Sequence, residues 1–298
     1  MKLLSDFDGV WTYPDAEGTA HGEALDTALV ELAPEPERVQ VRAWIASARR
    51  AIRAEPERWG WVSAGRLSAF ADEDPFTEHG ALLHYLDEQR AADPVAASLV
   101  SGIERAGVAL EAFGGQAHVR GVQAVEARRG PGIVAPAAAA GRALLAAGIE
   151  VVVVSNSGTE KLQRWFAHAG VPASVHPERS ARALRLRGSA RKFVLAAGAG
   201  EPLAVAGAHV DVARPDYARV LAAEAPDAVV GDVFSLDLAL PLALKRRDPA
   251  WRSVRLFWLV HPYTPERMRR VIARLPAGEV EEVQGGLAAV AERLLPAR

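Results

Sequence analysis

Lys2-Leu3-Leu4-Ser5-Asp6-Phe7-Asp8-Gly9 is the stretch on which the reading of this chain turns. A short, mainly apolar run stops abruptly at two aspartates and a glycine, the pattern of a buried strand that delivers acidic side chains into a turn. Its next equivalent comes only at Glu150-Val151-Val152-Val153-Val154, which runs into Ser155-Asn156-Ser157-Gly158. Two more follow: Asp227-Ala228-Val229-Val230 before Gly231-Asp232, and Leu256-Phe257-Trp258-Leu259-Val260 before His261-Pro262. Valine-rich runs without polar alternation fit strands covered on both faces. Helical patterns at 136–147, 159–169 and 216–225 lie between them, so the order predicts βαβ units and an α/β, Rossmann-like parallel sheet.

Between the first strand and the second the character changes. Helical periodicity replaces valine runs, as at 39–54 and 81–90, and Trp44, Trp59, Trp61, Phe70, Phe76 and Tyr85 provide for a separate core. The expected organisation is a sheet domain from 1–12 and 130–298, with a mostly α-helical insertion at 13–129 directly after the first strand. Arg128-Arg129-Gly130-Pro131-Gly132 reads as the return linker. Strand-like runs at 191–196 and 203–212 predict a β-hairpin elaboration at about 185–213.

Composition narrows the function. The chain has 298 residues, half of them hydrophobic and 24% charged, the balance of a soluble globular protein. A net charge of −2 gives no electrostatic reason to expect nucleic acid or an anionic membrane as partner. Without cysteine there are no disulfides, zinc ribbons or thiol nucleophiles. No apolar run reaches the roughly 18 residues of a membrane span, and no signal-peptide pattern opens the chain, so the cytoplasm is the expected compartment. Neither HExxH nor GxSxG occurs, which leaves zinc-protease and serine-hydrolase chemistry without support. Arg42, Arg49, Arg50 and Arg53 recur at helical spacing and read as a solvated face. Oligomeric state is not legible.

In open parallel sheets ligands sit outside the carboxyl ends of the strands. That rule brings Asp6, Asp8, Ser155, Asn156, Asp232 and Asp237 towards one crevice. Converging carboxylates repel unless a cation neutralises them, and an oxygen-only set points to Mg²⁺.

These residues also resemble a known family. Asp6-Phe7-Asp8-Gly9-Val10-Trp11-Thr12 looks like the first motif of the haloacid dehalogenase (HAD)-like hydrolase superfamily, Ser155 like its second, and Gly231-Asp232-Val233-Phe234-Ser235-Leu236-Asp237 like its fourth. The resemblance covers the sheet domain and not the insertion. It implies a Mg²⁺-dependent phosphatase in which Asp6 is the nucleophile and Asp8 the acid and base. The metal would be held by Asp6, the Asp8 carbonyl and Asp232, with Asp237 in support, and Ser155 and Asn156 would face the phosphate. Asp8 argues against the halide-releasing branch, because a leaving alkoxide needs a proton and a halide does not. The family's basic third-motif residue would be Arg214, one helix before the fourth motif, or Lys192, which is separated from that motif by the hairpin; Arg214 is favoured. The resemblance further implies that the insertion is a cap selecting a small phosphorylated substrate. A phosphotransferase or mutase using the same aspartates, and a non-catalytic phospho-ligand or partner-binding protein, are the alternatives.

Overall fold

The computed structural model describes residues 1–175, 182–205 and 208–296. They divide into two compact units, Met1–Tyr13 with Pro131–Arg298, and Pro14–Gly130. In chain order, β1 (Lys2–Ser5) opens the first unit. The second unit then comprises α1 (Asp15–Glu31), α2 (Arg38–Ala54), the hairpin β2 (Gly60–Ser63) and β3 (Arg66–Phe70), α3 (Thr77–Gln89), α4 (Pro94–Arg105) and α5 (Leu110–Arg129). The first unit resumes with α6 (Ala135–Ala146), β4 (Glu150–Val154), α7 (Thr159–His168), β5 (Ala173–Ser174) and β6 (Leu184–Arg187). It continues through β7 (Pro202–Val205), β8 (Ala208–Asp211), α8 (Pro215–Glu224), β9 (Ala228–Gly231) and α9 (Ala239–Arg247). β10 (Arg255–Leu259), α10 (Glu266–Ile272), β11 (Glu281–Val283) and α11 (Gly286–Leu294) complete it.

The first unit is an α/β, Rossmann-like fold. Its seven-stranded sheet runs β11-β10-β9-β1-β4-β6-β5, and every pairing in it is parallel. β1 is central, with Leu4 level with Val152 of β4 on one side and Val229 of β9 on the other. The chain after β4 builds outwards on one side of β1 and then returns to build on the other. β1 therefore ends where the strand order reverses, the place at which such sheets bind ligands. Val151 to Val154 are wholly buried, as are Val229 and Val230, because helices cover both faces.

Three strands of this sheet, β5, β6 and β11, are not legible as apolar runs in the sequence. β6 is Leu-Arg-Leu-Arg, yet Arg185 is only 7% exposed. Burial is tolerated because the guanidinium meets Glu150 at 2.7 Å and also pairs with Glu224, which Arg187 binds at 2.6 Å. The expected elaboration is also smaller than predicted. A hairpin exists, β7 against β8, but residues 191–196 form turns rather than a strand, and 206–207 lie outside the described residues.

The second unit closes a core of its own. Leu25 and Leu29 of α1 pack with Ile45 and Ile52 of α2, Leu82 and Leu86 of α3, and Leu99 and Ile103 of α4. Asp93 caps α4 by accepting the Val95 and Ala96 N–H groups at 2.8 and 3.0 Å, and Pro94 occupies the first helical position. Among the described residues no helix is long and apolar enough to cross a membrane.

Candidate active site

The carboxyl ends of β1, β4 and β9 bring the acidic residues together. Asp6 follows β1, and its N–H extends the sheet by donating to the Val230 carbonyl at 2.9 Å. Asp232 follows β9, and Asp237 lies in the wide turn Phe234–Leu238 before α9. Oxygens of Asp6, Asp232 and Asp237 lie within 4.8 Å of one another, and all three residues are buried. Glycines allow this crowding. Gly9 has φ +77°, and a Cβ there would sit 2.2 Å from Asp232 Oδ2; a Cβ on Gly231 would sit 2.3 Å from the Asp237 Cβ.

A lysine enters this cluster. Lys192, 3% exposed, donates from Nζ to Asp237 Oδ1 at 2.5 Å and to Asp6 Oδ1. Burial alone would lower its pKa, but Asp237 and Asp6 outweigh burial and hold the ammonium charged. Asp6 responds in the opposite sense. Burial, then the neighbouring Asp237, push its carboxyl well above the usual range, and Lys192 counters only part of that. Asp237 is used on both oxygens, since Oδ2 accepts the Val233 N–H at 3.1 Å.

Of the two basic candidates, it is Lys192 whose Nζ meets Asp6 and Asp237. Arg214 is buried, and its Nη1 donates to the Lys192 carbonyl. It anchors the backbone that carries the lysine, as Tyr217 anchors Asp237 by donating to its carbonyl at 2.9 Å. The segment carrying Lys192 is strained, with Ser189 and Arg191 at φ +55° and +51°. It is held against the end of β4 by three hydrogen bonds. Ser189 N–H donates to the Ser157 carbonyl at 2.8 Å, Ala190 N–H to the Ser155 carbonyl at 2.9 Å, and Lys192 N–H to Asn156 Oδ1 at 2.8 Å. The Asn156 side chain, expected at a phosphate, thus binds this segment. The Ser155 hydroxyl accepts the Ser157 N–H at 3.0 Å in the turn leading into α7.

Asp8 stands apart from the three buried acids. Its Oδ2 accepts the Ser157 hydroxyl at 3.1 Å, and Lys161 Nζ lies 3.5 Å from its Oδ1. Lys161, one turn into α7, also donates to Ser157 Oγ at 3.3 Å and lies over the Trp165 and Phe7 rings, 4.6 and 5.5 Å from their centroids. Aromatic faces stabilise a buried ammonium.

Solved structures align with the chain over nearly its full length. One is a haloacid dehalogenase-like family hydrolase from Xanthomonas campestris, at 13% identity and TM-score 0.41, covering 99% of this chain and 94% of that one. Another is the 2-haloacid dehalogenase from Pseudomonas syringae pv. Tomato DC3000, at 12% identity and TM-score 0.39, covering 98% and 97%. These are haloacid dehalogenase-like proteins. At such values they carry nothing about individual residues here. No protein-family model matches the chain, and no curated protein matches it significantly.

Three contributors to the site went unnoticed in sequence. Ser157 lies two residues before α7 and Lys161 in its first turn, so the turn after β4 carries both towards Asp8. Tyr263, beyond β10, donates its hydroxyl to Asp232 Oδ2 at 2.8 Å. Only the sheet order brings it there.

Proposed function

We propose that the chain is a Mg²⁺-dependent phosphate monoester hydrolase working through an aspartyl-phosphate on Asp6. The observation that carries this reading is Lys192 seated between Asp6 and Asp237 beside Asp232, with Asp8 held apart by Ser157 and Lys161. The three clustered carboxylates and one ammonium leave two negative charges, which a divalent cation balances. The donors are oxygen only, the set Mg²⁺ prefers. Both Asp237 oxygens are already bound, so ligation falls to Asp6 and Asp232 with the Asp8 carbonyl, and Asp237 supports by holding Lys192. When bound, the ion supplies positive charge to the phosphoryl oxygens.

The chain's own groups then divide the work. Asp6 attacks phosphorus, forming a P–O bond as the ester P–O bond breaks. Lys192 offsets charge on Asp6 and on the transferring group. The turn from Ser155 into α7 presents N–H groups to phosphate, as helix starts do. Asp8 gives its proton to the leaving alkoxide and then takes one from the water that hydrolyses the intermediate. A halide would leave without that proton, which is why Asp8 favours an ester substrate. A small phosphorylated metabolite is the substrate class.

Turnover of p-nitrophenyl phosphate that requires Mg²⁺ and stops with EDTA is the expected result. Failure on this ester and on a panel of phosphorylated metabolites would remove the hydrolase reading. Tyr263→Phe is expected to weaken Mg²⁺ binding by roughly 10–100-fold, the usual effect of losing a partner that orients a metal ligand. Titration of Mg²⁺ against activity measures it, and an unchanged half-saturation would show that the phenol does not hold Asp232.

A further inference from the structure

The arginines of the second unit form the strongest feature outside this site. α2 carries Arg38, Arg42, Arg49 and Arg53 in a row spaced four, seven and four residues, with Arg50 beside it. At about 1.5 Å per residue the row extends over about 22 Å. As a solvated face requires, the row is largely exposed, at Arg42 and Arg53 and at the adjacent Arg50. Together with α1 it walls a cavity of about 550 Å³. Val30, Ile45 and Ala46 are its apolar lining, and the remaining lining residues are charged or polar.

The cations are only partly matched. Arg49 meets Asp26 at 2.6 Å, and Arg49 and Arg53 share Glu78 at 3.4 and 3.1 Å. Arg38 donates to the Ala33 carbonyl at 3.4 Å. Among the described residues Arg42 and Arg50 make no hydrogen bond or ion pair, although both line the cavity. Setting the five arginines against Asp26, Glu31 and Glu78 leaves two positive charges. Guanidinium forks bind phosphate and carboxylate oxygens in pairs, and a concave space of this size suits a small molecule.

We infer that this cavity between α1 and α2 binds a small polyanion, a molecule with two or more phosphate groups on a ring or apolar body, as in a nucleoside diphosphate. The unpaired Arg42 and Arg50 offer forks to its anionic groups, and Val30, Ile45 and Ala46 offer apolar contact to its body. The site is separate from the aspartate cluster, and the inference does not depend on the hydrolase reading.

Isothermal titration of the full chain with ADP, in metal-free buffer at low and high salt, tests it. ADP is expected to bind one per chain, to bind more weakly as salt rises, and to lose about tenfold or more in affinity with Arg42→Ala/Arg50→Ala. Both arginines are exposed, so that variant should keep the parental thermal midpoint, and adenosine should not bind. Absence of ADP binding to the parent, equal affinity in the double variant, or adenosine binding as tightly as ADP would each overturn the inference.

Discussion

Asp6→Asn is expected to lower phosphate ester turnover by about 10⁴-fold or more, the scale seen when a nucleophile is removed, while making the metal-free protein more stable. The two effects have one origin. Asp6 lies buried beside Asp237 and close to Asp232, a position that costs folding energy when the carboxyl is ionised. Its folded pKa is raised above the unfolded value. In the metal-free protein the folded state therefore binds the proton more tightly, and stability falls as pH rises from the unfolded value through the folded one. The amide has the same shape and carries no charge, so it removes that loss, and Lys192 keeps Asp237 as partner. Denaturant unfolding in EDTA across pH should show the variant ahead at neutral pH, with the gap closing in acid. Near-parental turnover would mean that another group attacks phosphorus.

Lys192→Met is expected to damage both properties. Methionine fills a similar volume but leaves Asp6 and Asp237 facing each other without the ammonium between them. Breaking a buried ion pair by removing one partner costs about 3–5 kcal/mol, and that loss should appear in metal-free unfolding at neutral pH. It should shrink in acid, where the carboxyls take up protons. Turnover should fall by about 10²–10³-fold, because a preorganised positive charge at the transferring group is lost. Lys192→Arg should not rescue, since a residue 3% exposed leaves no room for the larger fork. Unchanged stability with and without metal would mean that Lys192 does not neutralise this cluster.

The sheet was legible where hydrophobicity alone places a strand. β1, β4, β9 and β10 are apolar runs ending in turn residues, and the rule that ligands gather at strand ends brings Asp6, Asp232 and Asp237 to one place. What stayed hidden depends on partners distant in sequence. β6 carries two arginines, and only Glu150 and Glu224 make it a buried strand. Lys192 looked too far from the fourth motif because the β7–β8 hairpin intervenes, yet the hairpin leaves the path of the preceding segment unaffected. What places Lys192 is the set of hydrogen bonds from 189–192 to the end of β4, including the Asn156 side chain. Arg214 has the better position in sequence, but its guanidinium binds the backbone that carries Lys192.

The central place of β1 has a consequence for how the chain is made. Lys2 pairs in register with Glu150, and Leu3 with Ala228, so the strand that leads into Asp6 is synthesised long before either neighbour. At about 5–20 residues per second it waits roughly 7–30 s for β4 and longer for β9, with Leu3 and Leu4 unpaired. During that interval Pro14–Gly130, which closes its own core, emerges complete from the ribosome. Assembly of the aspartate cluster is therefore a late event, and a nascent chain stalled before Ala228 would hold Asp6 without the strand that delivers Asp232.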